Sequence, residues 1–337
     1  MARRLILLAL ALACIVIVLG AYVRLSDAGL GCPDWPGCYG QLTPHHASEE
    51  IAAAVAADPH GPVSLPKAWK EMVHRYLATT LGLLILAIAL LALRRKARGV
   101  SAGMALATVG TVVFQGMLGM WTVTLLLKPA IVTGHLVGGL ATVSMLAWMA
   151  MRTSHARPVE IAPQVRHLAR LGLLALAVQI LLGGWTSTNY AALACADLPT
   201  CQGQWLPQMD FANAFHMVRE LGMTADGQLL PLAALTAIHW CHRIGAVVVS
   251  VLLMALAVGL LKRARTRGLG LLLVLMLLVQ VSLGVANVLL QLPLPLAVAH
   301  NAGALLLWLT MLRINFSLRP AHAMMLVGRS SRENALA

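Results

Sequence analysis

The chain has 337 residues, 59% of them apolar and 11% charged, with a mean hydropathy of +0.81. Soluble chains run at about half apolar and about a quarter charged, so the composition excludes an ordinary soluble two-domain enzyme and points into lipid. The formal charge of +13 invites a nucleic-acid reading until the charges are placed along the chain.

Apolar stretches run over 5–23, 72–93, 102–127, 131–151, 169–188, 232–261, 269–292 and 296–312. Each is about the 20 residues that cross a bilayer core. The first follows Arg3 and Arg4 as a signal peptide would. It is long for one, and no small-x-small cleavage site follows, so it reads as a retained helix. The expected fold is an all-α polytopic membrane protein with eight spanning helices.

Orientation follows from the basic residues. With the N-terminus in the cytoplasm, 18 of the 25 Lys and Arg fall on the inner side, around 94–98, 152–170 and 262–267 and at both ends. Only Glu160 and Glu333 of the 12 acids join them. This is the positive-inside pattern, with both termini cytoplasmic. The basic charge is therefore topology, and nucleic acid drops out as a partner.

The chain also repeats itself. LGAYVRLSDAGLGCPDWPGCYGQLTP at 19–44 pairs with LGGWTSTNYAALACADLPTCQGQWLP at 182–207, Cys32 and Cys38 matching Cys195 and Cys201. MVHRYLATTLGLL at 72–84 pairs with WCHRIGAVVVSVL at 240–252, and Gln115 to His135 pairs with Gln280 to His300. One four-helix unit is thus used twice. An even number of spans gives both copies the same orientation, a parallel repeat. The expected organisation is a unit at 1–151, a cytoplasmic linker at 152–168, a second unit at 169–315 and a cytoplasmic tail at 316–337.

Four histidines survive inside apolar helices at matched positions: His74 and His135 in the first unit, His242 and His300 in the second. All sit near the outer ends of even-numbered spans, at similar depth. A ring between two such helices receives one nitrogen on each face, the arrangement of a bis-histidine haem in a bundle interior. Zinc fits less well, since two histidines per unit leave ligands missing. The plain alternative is four interhelical hydrogen-bonders. Glu71 lies one turn before His74, and the matching residue is His239, so only the first unit has an acid. That carboxylate reads either as a helix-dipole cap or as a proton-handling group beside a bound haem. The asymmetry suggests one site that reacts and one that only holds a cofactor. Arg75 and Arg243 follow the ligand candidates directly and read as propionate contacts or as snorkelling cations.

The loop cysteines fall on the oxidising side, where each pair can close as a disulfide. A structural clip suits Cys195 and Cys201, while Cys32 and Cys38 stay open between clip and reactive thiols. Cys14 and Cys241 read as small apolar residues. Glycines in GMLGM at 116–120 and GHLVGG at 134–139 read as packing, or as room for a porphyrin plane. His45, His46, His60, His155, His167, His216 and His322 receive no role.

LGAYVRLSDAGLGCPDWPGC at 19–38, EMVHR at 71–75, TGHLVGG at 133–139, IHWCHRIGA at 238–246 and VAHNAGA at 298–304 resemble the heme A synthase family, in its bacterial branch with loop cysteines. The likeness covers nearly the whole chain, in order. It implies a bacterial plasma-membrane oxidoreductase that converts heme O to heme A for terminal oxidases, oxidising the C8 methyl group to a formyl group. By the same resemblance His242 and His300 would ligate a resident heme b, and His74 and His135 would flank the iron of the substrate heme. Glu71 matches the family's essential glutamate, and Cys32–Cys38 the loop pair linked to activity. Implied partners are the lipid bilayer, heme O synthase as substrate donor, the terminal oxidase assembly machinery and an electron donor, with a homo-oligomer left open.

Three rival classes remain on the residues alone. A bis-histidine cytochrome b exchanging electrons with quinone would make Glu71 incidental. A membrane thiol–disulfide oxidase would make the loop cysteines the centre and leave the histidine quartet unexplained. A transporter also fits a parallel repeat, but four matched histidines near one face favour haem.

Overall fold

The computed structural model describes residues 2–94, 99–154 and 158–320. Arg95, Lys96, Arg98, His155, Arg157, His322, Arg329, Arg332 and Glu333 lie outside the described residues, as does most of the expected tail. In chain order the helices are α1 (Ala2–Leu25), a short α2 (Ser48–Ala57), α3 (Leu65–Leu93), α4 (Ala102–Thr124), α5 (Pro129–Arg152) and α6 (Pro163–Thr188). Then come a short α7 (Phe211–Ala214), α8 (Leu232–Leu261), α9 (Ala264–Leu289) and α10 (Leu294–Ser317). Eight of these helices are long and apolar enough to cross a membrane, matching the eight expected spans. The described residues contain no strand.

Capping chemistry sets several boundaries. Ser64 accepts the N–H of Lys67 and Pro66 occupies the first turn of α3; Ser101 does the same for Met104 at the start of α4. Proline opens α5, α6 and α10, where its missing N–H leaves no donor unsatisfied. These caps place α3 and α6 ahead of the apolar stretches. α3 begins at Leu65 rather than 72, and α6 at Pro163, inside the expected linker. Their first turns carry Lys67, Lys70, Gln164 and Arg166, which a hydropathy reading discounts although helix geometry tolerates them. The turns between α4 and α5 and between α9 and α10 share one device. Leu126 and Leu127 take φ of 50° and 58°, and Gln291 and Leu292 57° and 61°. Two consecutive left-handed residues reverse the chain and let Leu127 N–H reach Thr122 O and Leu292 N–H reach Asn287 O.

The helices close into two rings. In the first, α1 packs on α3, α3 on α4, α4 on α5 and α5 back on α1; in the second, α6, α8, α9 and α10 follow the same order. This is consistent with the internal repeat. The rings meet along α1–α10, α5–α6 and α5–α10. Trp308 Nε1 donates to Ser144 Oγ across that seam at 2.8 Å, and Arg24 donates to Ser187 O at 2.9 Å. The continuous core there includes Ile6, Leu146, Leu253 and Met311. Outward faces carry exposed Leu83, Leu86, Val247, Val251, Leu271 and Leu278, a surface that suits acyl chains and not water.

Candidate functional site

The ring order places the histidine-bearing helices diagonally. α3 and α5, carrying His74 and His135, are opposite members of the first ring, and α8 and α10, carrying His242 and His300, of the second. Diagonal helices are held apart by their neighbours, so the two histidines of each unit come from helices that do not pack closely on one another.

A glycine seats every one of these rings. A Cβ at Gly20 would come within 3.0 Å of His74 Cε1, at Gly183 within 3.0 Å of His242 Cε1, at Gly284 within 3.1 Å of His300 Cε1 and at Gly119 within 3.4 Å of His135 Cε1. Gly119, the second glycine of GMLGM, thus lies directly beside the His135 imidazole. Nδ1 of His74 and of His135 is buried with no partner in hydrogen-bond geometry; these rings face the carbonyls of Val16 and Gln115. Nδ1 is thus turned to protein wall. Four buried imidazoles on diagonal helices, each lying close against a glycine of the neighbouring helix, are a donor set that fits a haem in each ring.

Above each ring lies a disulfide loop. Cys32–Cys38 and Cys195–Cys201 are both closed, and all four residues are fully buried. The loops share the pattern Cys-x-Asp-x-Pro-x-Cys-x-Gly-Gln. Asp34 accepts the N–H groups of Tyr39 and Gly40, each at 2.7 Å. Asp197 accepts those of Gln202 at 2.7 Å and Gly203 at 3.0 Å, with the Thr200 hydroxyl at 2.5 Å. The Thr200 hydroxyl, with the two N–H groups, holds the Asp197 carboxyl down to about 2. Neither aspartate was singled out from the sequence, although their matched offset between two cysteine pairs was the available signal.

The loops are tied to the helices below. Arg75 donates to the carbonyls of Asp34 at 2.8 Å, Pro36 at 3.3 Å and Gly37 at 2.6 Å. Arg243 does the same for Asp197, Thr200 and Cys195, at 2.8, 2.9 and 2.6 Å. The two arginines expected as propionate contacts or snorkelling cations thus spend these donors on loop carbonyls. Gly31 lets the first loop touch α3: a Cβ there would fall 2.6 Å from the Lys67 carbonyl carbon.

Glu71 is 5% exposed. Its Oε2 accepts the Cys32 N–H at 3.0 Å and its Oε1 meets Arg75 at 2.5 Å. His239, 4% exposed, takes the matching place, with Nδ1 accepting the Cys195 N–H at 3.3 Å. The acid is therefore more than an exposed helix cap. It joins the loop to the turn preceding His74, and only the first unit has it. Three glutamines that the sequence reading used only as repeat markers, or passed over, also reach the site: Gln115 donates to His135 O at 2.8 Å, Gln179 to His242 O at 2.9 Å, and Gln280 lies 3.3 Å from both ring nitrogens of His300.

Comparison with known proteins agrees in extent with this architecture. The profile of COX15-CtaA, a cytochrome oxidase assembly protein family, matches residues 3–312. The chain is 45% identical over 307 residues to a heme A synthase of Shewanella oneidensis, covering 90% of this chain and 92% of the relative. It is 28% identical over 257 residues to a heme A synthase of Shouchella clausii, covering 74% and 72%. Against a heme A synthase of Halalkalibacterium halodurans it is 26% identical over 236 residues, covering 68% and 72%.

Proposed function

This chain belongs to the COX15-CtaA family, and on that premise we propose that it is a heme A synthase that oxidises the C8 methyl group of heme O to a formyl group. The observation that carries the reading is the pair of diagonal histidine sets, one with a buried carboxylate beside it and one without. In this reading His242 and His300 hold a resident heme b, and His74 and His135 bracket the substrate heme. The hemes supply the redox chemistry. The chain's own residues position and move protons. The glycine seats fix the imidazole planes, the disulfide loop closes the outer end of the ring, and Glu71 carries protons at its Oε atoms between the loop and the substrate edge.

Units at 1–151 and 169–315, joined by a linker and followed by a cytoplasmic tail, then have separate tasks: the first binds substrate and the second holds the cofactor. The basic inner loops support placement in the bacterial plasma membrane with both termini cytoplasmic. Heme O synthase as donor, an electron donor and the oxidase assembly machinery are the partners that this chemistry calls for; homo-oligomerisation remains compatible with it. Complete burial of all four loop cysteines argues against a thiol oxidase, because exchange requires access to sulfur.

The test is extraction and chromatography of hemes from cells expressing this chain with a heme O source. A heme A peak that depends on the chain is expected. Unchanged heme O with fully loaded protein would favour the cytochrome b electron carrier instead.

A further inference from the structure

Three of the four histidine sites share a glutamine that the fourth lacks. On α4, α6 and α9 a glutamine stands four residues before the seat glycine: Gln115 before Gly119, Gln179 before Gly183 and Gln280 before Gly284. Each glutamine crosses to the histidine-bearing helix and bonds the histidine there. Gln115 reaches the main-chain carbonyl of His135, Gln179 both the carbonyl and Nδ1 of His242, and Gln280 the ring of His300. In all three, the amide oxygen lies against a glycine three residues after the histidine, at Gly138, Gly245 and Gly303, where any Cβ would overlap it. All three oxygens are buried without a partner. A buried acceptor without a donor is costly, so three such amides at matched places point to a role for what they hold.

The fourth site breaks the pattern on both helices. Val16 stands four residues before Gly20, and Leu77 three residues after His74. Val16 has no amide to offer, and Leu77 carries a side chain where the other three sites have the glycine that admits the amide oxygen. The His74 ring keeps its glycine seat and faces the Val16 carbonyl.

Resting on the haem reading above, we propose that Gln115, Gln179 and Gln280 are positioning residues that lock their histidines, and that His74, without such a lock, is the axial position of the substrate heme that opens to a small exogenous ligand. The open face then lies one turn from Glu71, the only acid at either site. The second unit, locked on both sides, stays closed. This gives the asymmetry between a reacting and a holding site a structural cause independent of the carboxylate.

Carbon monoxide is the probe. The full chain, loaded in cells with a heme O source and purified in lipid nanodiscs, is reduced and titrated with carbon monoxide, with total haem counted separately. Wild type is expected to bind it at the first-unit heme and not at the low-spin second-unit heme. Val16→Gln with Leu77→Gly builds the fourth lock and should abolish that binding while haem content is kept. Gln179→Leu releases His242 and should admit carbon monoxide to the second unit. The proposal is overturned if the first-unit heme of wild type is inert, or if Gln179→Leu leaves the second unit as closed as before. It is also overturned if the double variant, loaded with both hemes, binds as wild type does. The haem reading itself fails by a different sign: full haem content in both His135→Ala and His242→Ala.

Discussion

Glu71 and His239 occupy one position in two units, and each accepts the N–H of the first cysteine of the disulfide loop above it, at 3.0 and 3.3 Å. The hydrogen bond is kept while the chemistry of the acceptor changes. A structural clip alone needs only an acceptor, and imidazole supplies one. A buried carboxylate held by Arg75 offers, in addition, a charge and a proton-carrying group.

That relationship separates two substitutions. Glu71→Gln retains an acceptor for Cys32, so fold and second-unit heme b should survive, while conversion of heme O to heme A falls steeply. Glu71→Ala should also destabilise, by about 1–3 kcal/mol, because the Cys32 N–H is left buried and unpaired. Haem chromatography and thermal denaturation read the two effects. Normal heme A formation by Glu71→Gln would reduce Glu71 to a clip.

On the proposed ligation, His242→Ala or His300→Ala should remove the low-spin heme b spectrum, each variant lacking one of the two ligands. His74→Ala and His135→Ala should leave that spectrum in place. Optical and paramagnetic resonance spectra of the purified variants decide; a low-spin signal persisting in both second-unit variants would end the assignment.

The second disulfide loop should loosen in acid. Asp197 has its carboxyl held at about 2, against 3.8 ordinarily, by the Thr200 hydroxyl first and the loop N–H groups next. A folded value below the unfolded one means that this contribution is complete above about pH 4 and is lost as pH falls towards 2. Pepsin cleavage within 189–231 should therefore accelerate over that interval, and Asp197→Asn should flatten the dependence. An unchanged profile in the variant would remove Asp197 from the account.

Both loop disulfides should be structural. Closing a loop of this length contributes about 2 kcal/mol in the chain-entropy picture, so Cys195→Ser should lower thermal stability. With the loops outside, a membrane-impermeant thiol reagent should label Cys32, Cys38, Cys195 and Cys201 only after reduction. A periplasm-active reporter should be silent when fused after Glu160 and active after Asp226. Activity after Glu160 would invert the topology.

Much of this molecule is written locally. Lipid-length apolar runs, prolines and serines at helix starts, and the bias of Arg and Lys to one side each act within a few residues or through the membrane itself. They made the eight spans legible, and the matched offsets singled out the four histidines, the cysteine pairs and the lone acid. What the linear pattern could not decide was who holds whom. Diagonal placement of α3 against α5 and α8 against α10 depends on the order in which helices close into rings, which packing energies settle over the whole bundle. Arg75 and Arg243 could have met propionates, headgroups or loops. Only the fold of the Asp34 and Asp197 turns, returning carbonyls to within 3 Å of each guanidinium, assigned them to the loops. The glycine seats and glutamine locks are likewise contacts between neighbouring helices. Residues far apart in the chain acquire meaning there because close packing in lipid leaves no room for a Cβ and no water to replace a missing hydrogen bond.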